Sequence, residues 1–463
     1  MPDGRQAPCI RTRVRSMSSP SSNSPDGISS SAQFPQQYQR MTRVLHVING
    51  EHYSGAERVQ DLLASALPEF GYEVAFACVK PGSFEQRRRS QSTPLANVPM
   101  RGKFDLGASK RLVKVFQELN CEILHAHTPR SLLVASGAAK ILGCPLVYHI
   151  HSPVGLDSKR TWANLLNTWA ETRSLQSAAR LICVSESLRD YMRKLGHADA
   201  KLRVVHNGVP CDDFAASLDN VKPFWKIGMI ALFRPRKGLE VMIEALPKLV
   251  EQNLPVKLHC VGPFESPQYE LEIFELASRL NVGHLIEWTG FAENVNELLK
   301  EMQLLVLPSL FGEGLPMVVL EAMAVGLPVI ASKVEGVPEA ISDGREGLLF
   351  EPGNSAQLAS QIRKVMTNKA IWHEVSYAAW QRQRAQFSER SMASGVADVY
   401  NELGLPKPVL ISNSTGQSSA SEQPNAELPN SEVADAETTS ARPSFPQIPV
   451  SEISTSPSHF STQ

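Results

Sequence analysis

Two glutamates eight positions apart, Glu313 and Glu321, interrupt an otherwise apolar stretch, PSLFGEGLPMVVLEAMAVGLPVIAS, at residues 308–332. Burying an unpaired carboxylate is expensive, so each needs a donor partner or water. A ligand carrying hydroxyl groups is such a partner. The backbone N–H groups of Gly314, Leu315, Met317 and Val318 gather where a helix is expected to begin. With the helix dipole they make an anion site. Hydroxyl acceptors beside an anion cradle suit a sugar joined to a phosphate.

A cationic turn supplies complementary charge. Gly228-Met-Ile-Ala-Leu-Phe-Arg-Pro-Arg-Lys-Gly238 follows an expected strand and opens a helix, gathering Arg234, Arg236 and Lys237. A lysine point charge with an arginine fork fits a diphosphate. Either arginine can act with Lys237, and Arg234 is preferred. Earlier in the chain, Gly55 opens a helix after the first expected strand, where its missing Cβ lets a phosphate come close to the backbone. Two His-x-His pairs, His125 with His127 and His149 with His151, close two further strands. Alternate strand residues share a face and imidazole is a common metal ligand. No carboxylate or cysteine set completes a site, and no metal is expected. His125 and His149 are expected to point to the opposite face from the cleft.

The scaffold for these residues is legible as alternation. Short apolar runs at 43–48, 73–79, 123–127, 146–151, 181–184 and 202–206 read as strands, and amphipathic segments at 55–67, 110–119, 131–142 and 185–194 read as helices. The pattern restarts at 226–232 and continues through 256–261, 285–289, 304–307 and 329–331. Repeated βαβ units imply parallel sheets covered on both faces. The expected fold is α/β, two doubly wound Rossmann-like domains facing across a cleft, with ligands at the C-terminal strand ends. Around residue 316 the order is strand, loop, helix, turn, strand, with Pro316 at the first helical position and Gly326 as the left-handed stop. The domains expected are 41–216 and 217–385. A helical stretch at 372–403 ends in a helix, 386–405, that returns to the first domain.

Composition bounds the rest. The chain has 463 residues and a formal net charge of −1. No apolar run reaches the ~18 residues of a membrane span, and no nucleic-acid partner is implied. Seven cysteines without a Cys-x2-Cys pair read as reduced thiols of a cytoplasmic protein. Residues 1–40 and 406–463 are rich in Ser and Pro and poor in large apolar residues, so both are expected to be disordered. The first half carries an excess of Lys and Arg, and the segment 110–119, KRLVKVFQEL, has helical apolar spacing. An ordinary amphipathic surface helix is the favoured reading of it. A weak contact with anionic membrane at the inner face of the plasma membrane is the alternative.

Glu313-Gly-Leu-Pro, Glu321-Ala-Met-Ala and Gly326-Leu-Pro-Val-Ile-Ala-Ser, followed by Glu335-Gly-Val-Pro-Glu and Gly347-Leu-Leu-Phe-Glu-Pro-Gly, resemble the donor-site signature of retaining glycosyltransferases of family 4, which have the GT-B fold. The Glu-x7-Glu of that family is here Glu313 and Glu321. The family's usual Gly-Gly before the first helix is Ser54-Gly55 here, and its phosphate-turn arginine is Leu232, with Lys237 matching the lysine.

The resemblance implies a hexosyl transfer from a UDP- or GDP-sugar to a carbohydrate or lipid-linked acceptor, with no cofactor. Glu313 would hold sugar hydroxyls, Glu321 the ribose, and His151 the region of sugar carbon six. Lys237, an arginine and the helix start would hold the diphosphate in place of a metal. Gly262 and Phe291 would flank the nucleobase, and His127 would line the acceptor cleft. A GT-B epimerase or phosphorylase, or a non-catalytic sugar-nucleotide sensor, are the alternatives.

Overall fold

The computed structural model describes residues 38–102, 105–153, 173–218, 223–406 and 409–410. Two parallel sheets carry the chain. The strands of the first are β2 (Thr42–Ile48), β3 (Tyr72–Cys78), β4 (Leu95–Asn97), β5 (Ile123–Ala126), β6 (Leu146–Ile150), β7 (Arg180–Cys183) and β8 (Leu202–Val204). Their spatial order is β4-β3-β2-β5-β6-β7-β8. The second sheet holds β9 (Trp225–Ile230), β10 (Val256–Val261), β11 (Ile286–Gly290), β12 (Leu304–Leu307), β13 (Val329–Ser332) and β14 (Leu348–Phe350), in the order β11-β10-β9-β12-β13-β14. In each sheet the order reverses beside the first strand, so the crevices open at the C-terminal ends of β2 and β5, and of β9 and β12.

The inner strands are almost wholly buried, as the Val-, Leu- and Ile-rich runs require of sheets covered on both faces, while the edge strands β4 and β11 are partly exposed. Helix Met317–Ala324 is apolar nearly all round and lies buried between the sheet and the first domain's core. Its N-cap is Pro316, so the helix begins one residue later than expected, because Pro316 adopts extended backbone at φ −73°, ψ 120°. Gly326 has φ +76° and ends the turn.

Two consecutive helices tie the halves together. Helix Lys369–Gln386 packs on the second domain, where Trp372 Nε1 donates to Gln303 O at 2.8 Å, and on the connecting segment, where Gln383 Nε2 donates to Val209 O at 2.9 Å. Helix Glu389–Asn401 then lies against helix Gly55–Ala66, and Tyr72 Oη donates to Asn401 Oδ1 at 2.9 Å. The connection passes so close to Ser388 that a Cβ on Gly208 would meet the Ser388 carbonyl oxygen at 2.1 Å.

One expectation needs correction here. Residues 38–40 form strand β1 (Tyr38–Arg40), which pairs antiparallel with β15 (Val409–Leu410). Both strands thus lie inside the segments 1–40 and 406–463 expected to be disordered, and are too short to show as a sequence pattern. Residues 1–37 and 411–463 lie outside the described residues. In helix Leu106–Glu118, Leu112 and Phe116 are buried among the core side chains. The segment 110–119 is thus the amphipathic surface helix favoured above, with its apolar stripe packed inward and its basic residues reaching solvent.

Candidate active site

The cationic turn after β9 and the Glu313 loop after β12 leave neighbouring strands and meet. Lys237 Nζ donates to Glu313 Oε1 at 2.5 Å, and Ser309 Oγ donates to the same oxygen at 2.5 Å. Burial by itself would raise the Glu313 carboxyl. Lys237, the Ser309 hydroxyl and the nearby Arg236 outweigh it and hold the group below the usual carboxylate range. Arg236 Nη1 donates to Gly312 O at 2.8 Å. Gly312 has φ +83°, and a Cβ there would lie 2.5 Å from Arg236 Nη1, so both backbone and space call for glycine. Glu335, itself at a left-handed φ of 26°, accepts the N–H groups of Gly312 at 3.0 Å and Glu313 at 3.2 Å. The loop is thus folded around a carboxylate of its own.

Glu321 sits in helix Met317–Ala324 with 3 % exposure. Arg58, on helix Gly55–Ala66, reaches it across the cleft in an ion pair. Neither oxygen of Glu321 has an aligned hydrogen bond, and burial outweighs Arg58 to push the carboxyl above its ordinary range. A buried carboxylate with its hydrogen-bonding capacity unspent is a group that hydroxyl donors from a ligand would satisfy.

The two halves touch closely around these groups. A Cβ on Gly314 would come within 2.2 Å of the His151 carbonyl oxygen, and one on Gly336 within 3.1 Å of Ser185 Cβ. Glu339, from the second half, accepts the N–H groups of Glu186 at 2.7 Å and Ser187 at 2.8 Å, at the start of helix Glu186–Lys194. His206 Nε2 lies 3.2 Å from the same carboxylate. Burial would raise Glu339, but His206 and these N–H groups hold it below its usual range. Pro153, Ser187, Leu188 and Tyr191 line a small cavity together with Glu313, Gly314 and Glu335.

The remaining candidates fall into place one by one. Gly55 is exposed and faces Met317, whose Cγ would lie 3.8 Å from an added Cβ. Leu315 is buried, and its carbonyl accepts from Asn207 Nδ2 at 2.9 Å. Val318 is half-buried. Gly262 has φ +131°, and its N–H is spent on Gly290 O at 2.7 Å, so it shapes the end of β10 and offers no donor of its own to a base. Phe291 is 46 % exposed, with the Arg87 guanidinium 4.2 Å from its ring centre.

Three expectations are corrected. Arg234 turns away to Glu265 at 3.3 Å, and Arg236 is the arginine that reaches the Glu313 loop. His127 is 3 % exposed, with Nδ1 on His151 Nε2 at 3.3 Å and Nε2 on His46 Nδ1 at 3.1 Å, so it supports His151 from behind and does not line the cleft. His125 and His149 do not point to an opposite face. Their rings join those of His46, His127 and His151, which brings ligand nitrogens of His46, His125 and His127, and of His127, His149 and His151, within 4.8 Å of one another.

Arg58, Glu335 and Glu339 went unassigned in the sequence although they stand in the Ala-Glu-Arg and Glu-Gly-Val-Pro-Glu motifs. Tyr400 and His46 had no signal beyond being polar residues at apolar positions.

Comparison with known proteins bears on this geometry. The family model described as glycosyl transferases group 1 matches residues 212–384, and that of glycosyltransferase family 4 matches residues 53–213. A UDP-Gal:alpha-D-GlcNAc-diphosphoundecaprenol alpha-1,3-galactosyltransferase of Escherichia coli is 23 % identical over 71 % of this chain and 89 % of its own. An N-acetyl-alpha-D-glucosaminyl L-malate synthase of Bacillus anthracis is 26 % identical over 65 % and 80 %. Among solved structures, Anabaena HepE in complex with UDP-glucose superposes with a TM-score of 0.69 at 22 % identity, covering 78 % of this chain and all of that one. That likeness establishes the fold.

Proposed function

Because the chain belongs to the group 1 glycosyltransferases, we propose that it is a retaining, metal-independent enzyme moving a hexosyl unit from a UDP- or GDP-sugar to a carbohydrate or lipid-linked acceptor. The observation that carries the reading is the pairing of Lys237 and Arg236 with the Glu313 loop, beside a buried Glu321 whose oxygens lack aligned hydrogen bonds. One side is suited to a diphosphate and the other to hydroxyl groups.

In this reading the bond from the anomeric carbon to the diphosphate oxygen breaks, and the acceptor oxygen bonds to the same face of the sugar. The acceptor proton passes to the departing phosphate. Lys237, Arg236 and the backbone start of helix Met317–Ala324 stabilise the charge that develops on the leaving group. Glu313 orients sugar hydroxyls, and Glu321 receives the ribose hydroxyls while Arg58 offsets its charge. The relatives named above act, by their names, on a lipid-linked sugar and on malate. We assign the choice of acceptor to the first domain, because surface loops vary most readily.

Among the described residues no helix is long and apolar enough to cross a membrane. We place the enzyme in the cytoplasm, where sugar nucleotides are made, with membrane contact limited to charge because the stripe around Leu112 is buried.

The test is product analysis of the purified protein with nucleotide sugars, with and without acceptor, in excess EDTA. Transfer predicts a glycoside of the donor's own anomeric configuration, formed only with acceptor. An altered nucleotide sugar without acceptor would indicate an epimerase, and binding without any product a sensor. Loss of activity restored by manganese or magnesium would contradict metal independence.

A further inference from the structure

Behind the cleft lies a stack of five imidazoles. His46 comes from β2, His125 and His127 from β5 and the residue after it, and His149 and His151 from β6 and the residue after it. Ring centres are 4.2 Å apart between His125 and His127, and 4.5 Å between His149 and His151. Four rings are buried and His151 alone keeps an exposed edge. Burial lowers the pKa of every one, so all five are neutral near pH 7.

A hydrogen-bonded chain runs through four of them to the returning helix. His151 Nε2 meets His127 Nδ1 at 3.3 Å, and His127 Nε2 meets His46 Nδ1 at 3.1 Å. His46 Nε2 meets Tyr400 Oη at 3.2 Å, and Tyr400 Oη meets His125 Nδ1 at 2.6 Å. The far end is blind, because His125 Nε2 is buried without a partner.

A neutral imidazole has one N–H and one lone pair, and the phenol has one O–H. Each link therefore needs its single proton from one side. If the protons point from His151 toward His125, the last one sits on His125 Nε2, a buried N–H with no acceptor. If His46 and His125 both donate to Tyr400, the phenolic proton is stranded instead. Only one order uses every proton. His125 Nδ1–H donates to Tyr400, Tyr400 to His46 Nε2, His46 Nδ1–H to His127 Nε2, and His127 Nδ1–H to His151 Nε2. Along this chain a bare lone pair on His125 Nε2 is then all that stays unpaired, and stranded buried donors are the rarer defect; His149, stacked beside the chain but outside it, has neither nitrogen paired.

We propose that Tyr400 is a positioning residue. Through His46 and His127 it fixes His151 in the tautomer protonated on Nδ1, so that the N–H lies on the ring nitrogen not engaged with His127. The kinetic consequence rests on the proposed transfer and on His151 meeting the donor sugar near carbon six, as the family resemblance implies; the tautomer itself does not. The arrangement ties a residue near the end of helix Glu389–Asn401 to the chemistry of the first domain's cleft.

The test is long-range 15N–1H correlation on the unliganded full chain, labelled at histidine, with His151 assigned by the resonance lost in His151→Asn. The wild type is expected to show a single His151 form protonated on Nδ1. A His151 protonated on Nε2, or a mixture, would overturn the proposal whatever the enzyme transfers. Tyr400→Phe is expected to convert His151 to a mixture and to lower turnover about tenfold. In a His151→Asn background, whose amide keeps a donor near the Nδ1 position, Tyr400→Phe should cost nothing further. An unchanged His151 tautomer in folded Tyr400→Phe would also overturn it. If that variant does not fold, the wild-type tautomer decides.

Discussion

At the scale of single residues, Glu313 and Glu321 are separated by what already holds them. Glu313 is met by Lys237 and Ser309, whereas Glu321 has only the charge of Arg58 and no aligned hydrogen bond. Glu321→Gln should therefore weaken binding of the nucleoside diphosphate by about 1.5–3 kcal/mol, the worth of a charge-assisted hydrogen bond. Calorimetry with UDP or GDP alone reads this directly, and unchanged affinity would remove the ribose assignment. Glu313→Gln should spare that affinity and lower turnover with the nucleotide sugar, because it faces the sugar. The spacing of these two residues is legible in the sequence. The choice of Arg236 over Arg234 is not, because two arginines flanking a proline differ only in which way the short helical turn Pro235–Lys237 aims them. Arg58 is hidden for another reason: its partner lies in the other half of the chain, and pairing at that range leaves no local pattern.

At the scale of elements, long buried strands are readable, and of the three-residue edge strands only β8 is. The apolar runs that form β2, β3, β9 and β10 stand out from their flanks, while β4 and β14 have three residues each and read as loop. The histidines that close β5 and β6 are visible as pairs, but their meeting with His46 depends on strand order, which places β2 beside β5 and β5 beside β6.

That meeting has a consequence for stability. The unfolded chain takes up protons on these rings as pH falls through about 6.5. In the fold, burial pushes His151 down to about 4 and His46 to about 3. The fold is thus undiminished above about pH 6.5 and loses stability below it. The loss is ~1.4 kcal/mol per pH unit for each ring that stays neutral. Urea midpoints at pH 7.5 and pH 5.5 should differ sharply. Equal midpoints would mean that the rings protonate without leaving the fold.

The whole molecule is two parallel sheets whose crevices face one another, joined by a chain segment and two returning helices. The doubly wound order is legible from alternation alone. The way the halves lock is not: Glu339 capping the helix at Glu186, and the close approach of Gly314 to the His151 carbonyl, are tertiary matches between distant loops. At this scale the surface charge also matters. Lys114 is 78 % exposed at its side chain, and Lys110 beside it is exposed. Each such cation near an anionic surface contributes about 1 kcal/mol and is screened by salt. Binding to anionic vesicles should be measurable at low salt and largely lost at high salt. Lys110→Glu with Lys114→Glu should weaken it without changing donor affinity. Failure of the wild type to co-sediment at low salt would favour a soluble acceptor.

The central claim is that the groups around Glu313 and Glu321 transfer a sugar from a nucleotide. The most direct measurement is release of nucleoside diphosphate from a panel of UDP- and GDP-sugars in excess EDTA, with mixed saccharide and lipid acceptors and water also present. The wild type should release UDP or GDP from at least one donor, and Glu313→Gln should release it at least tenfold more slowly. No release from any donor by a folded protein that binds the nucleotide, or equal release by Glu313→Gln, would contradict the claim.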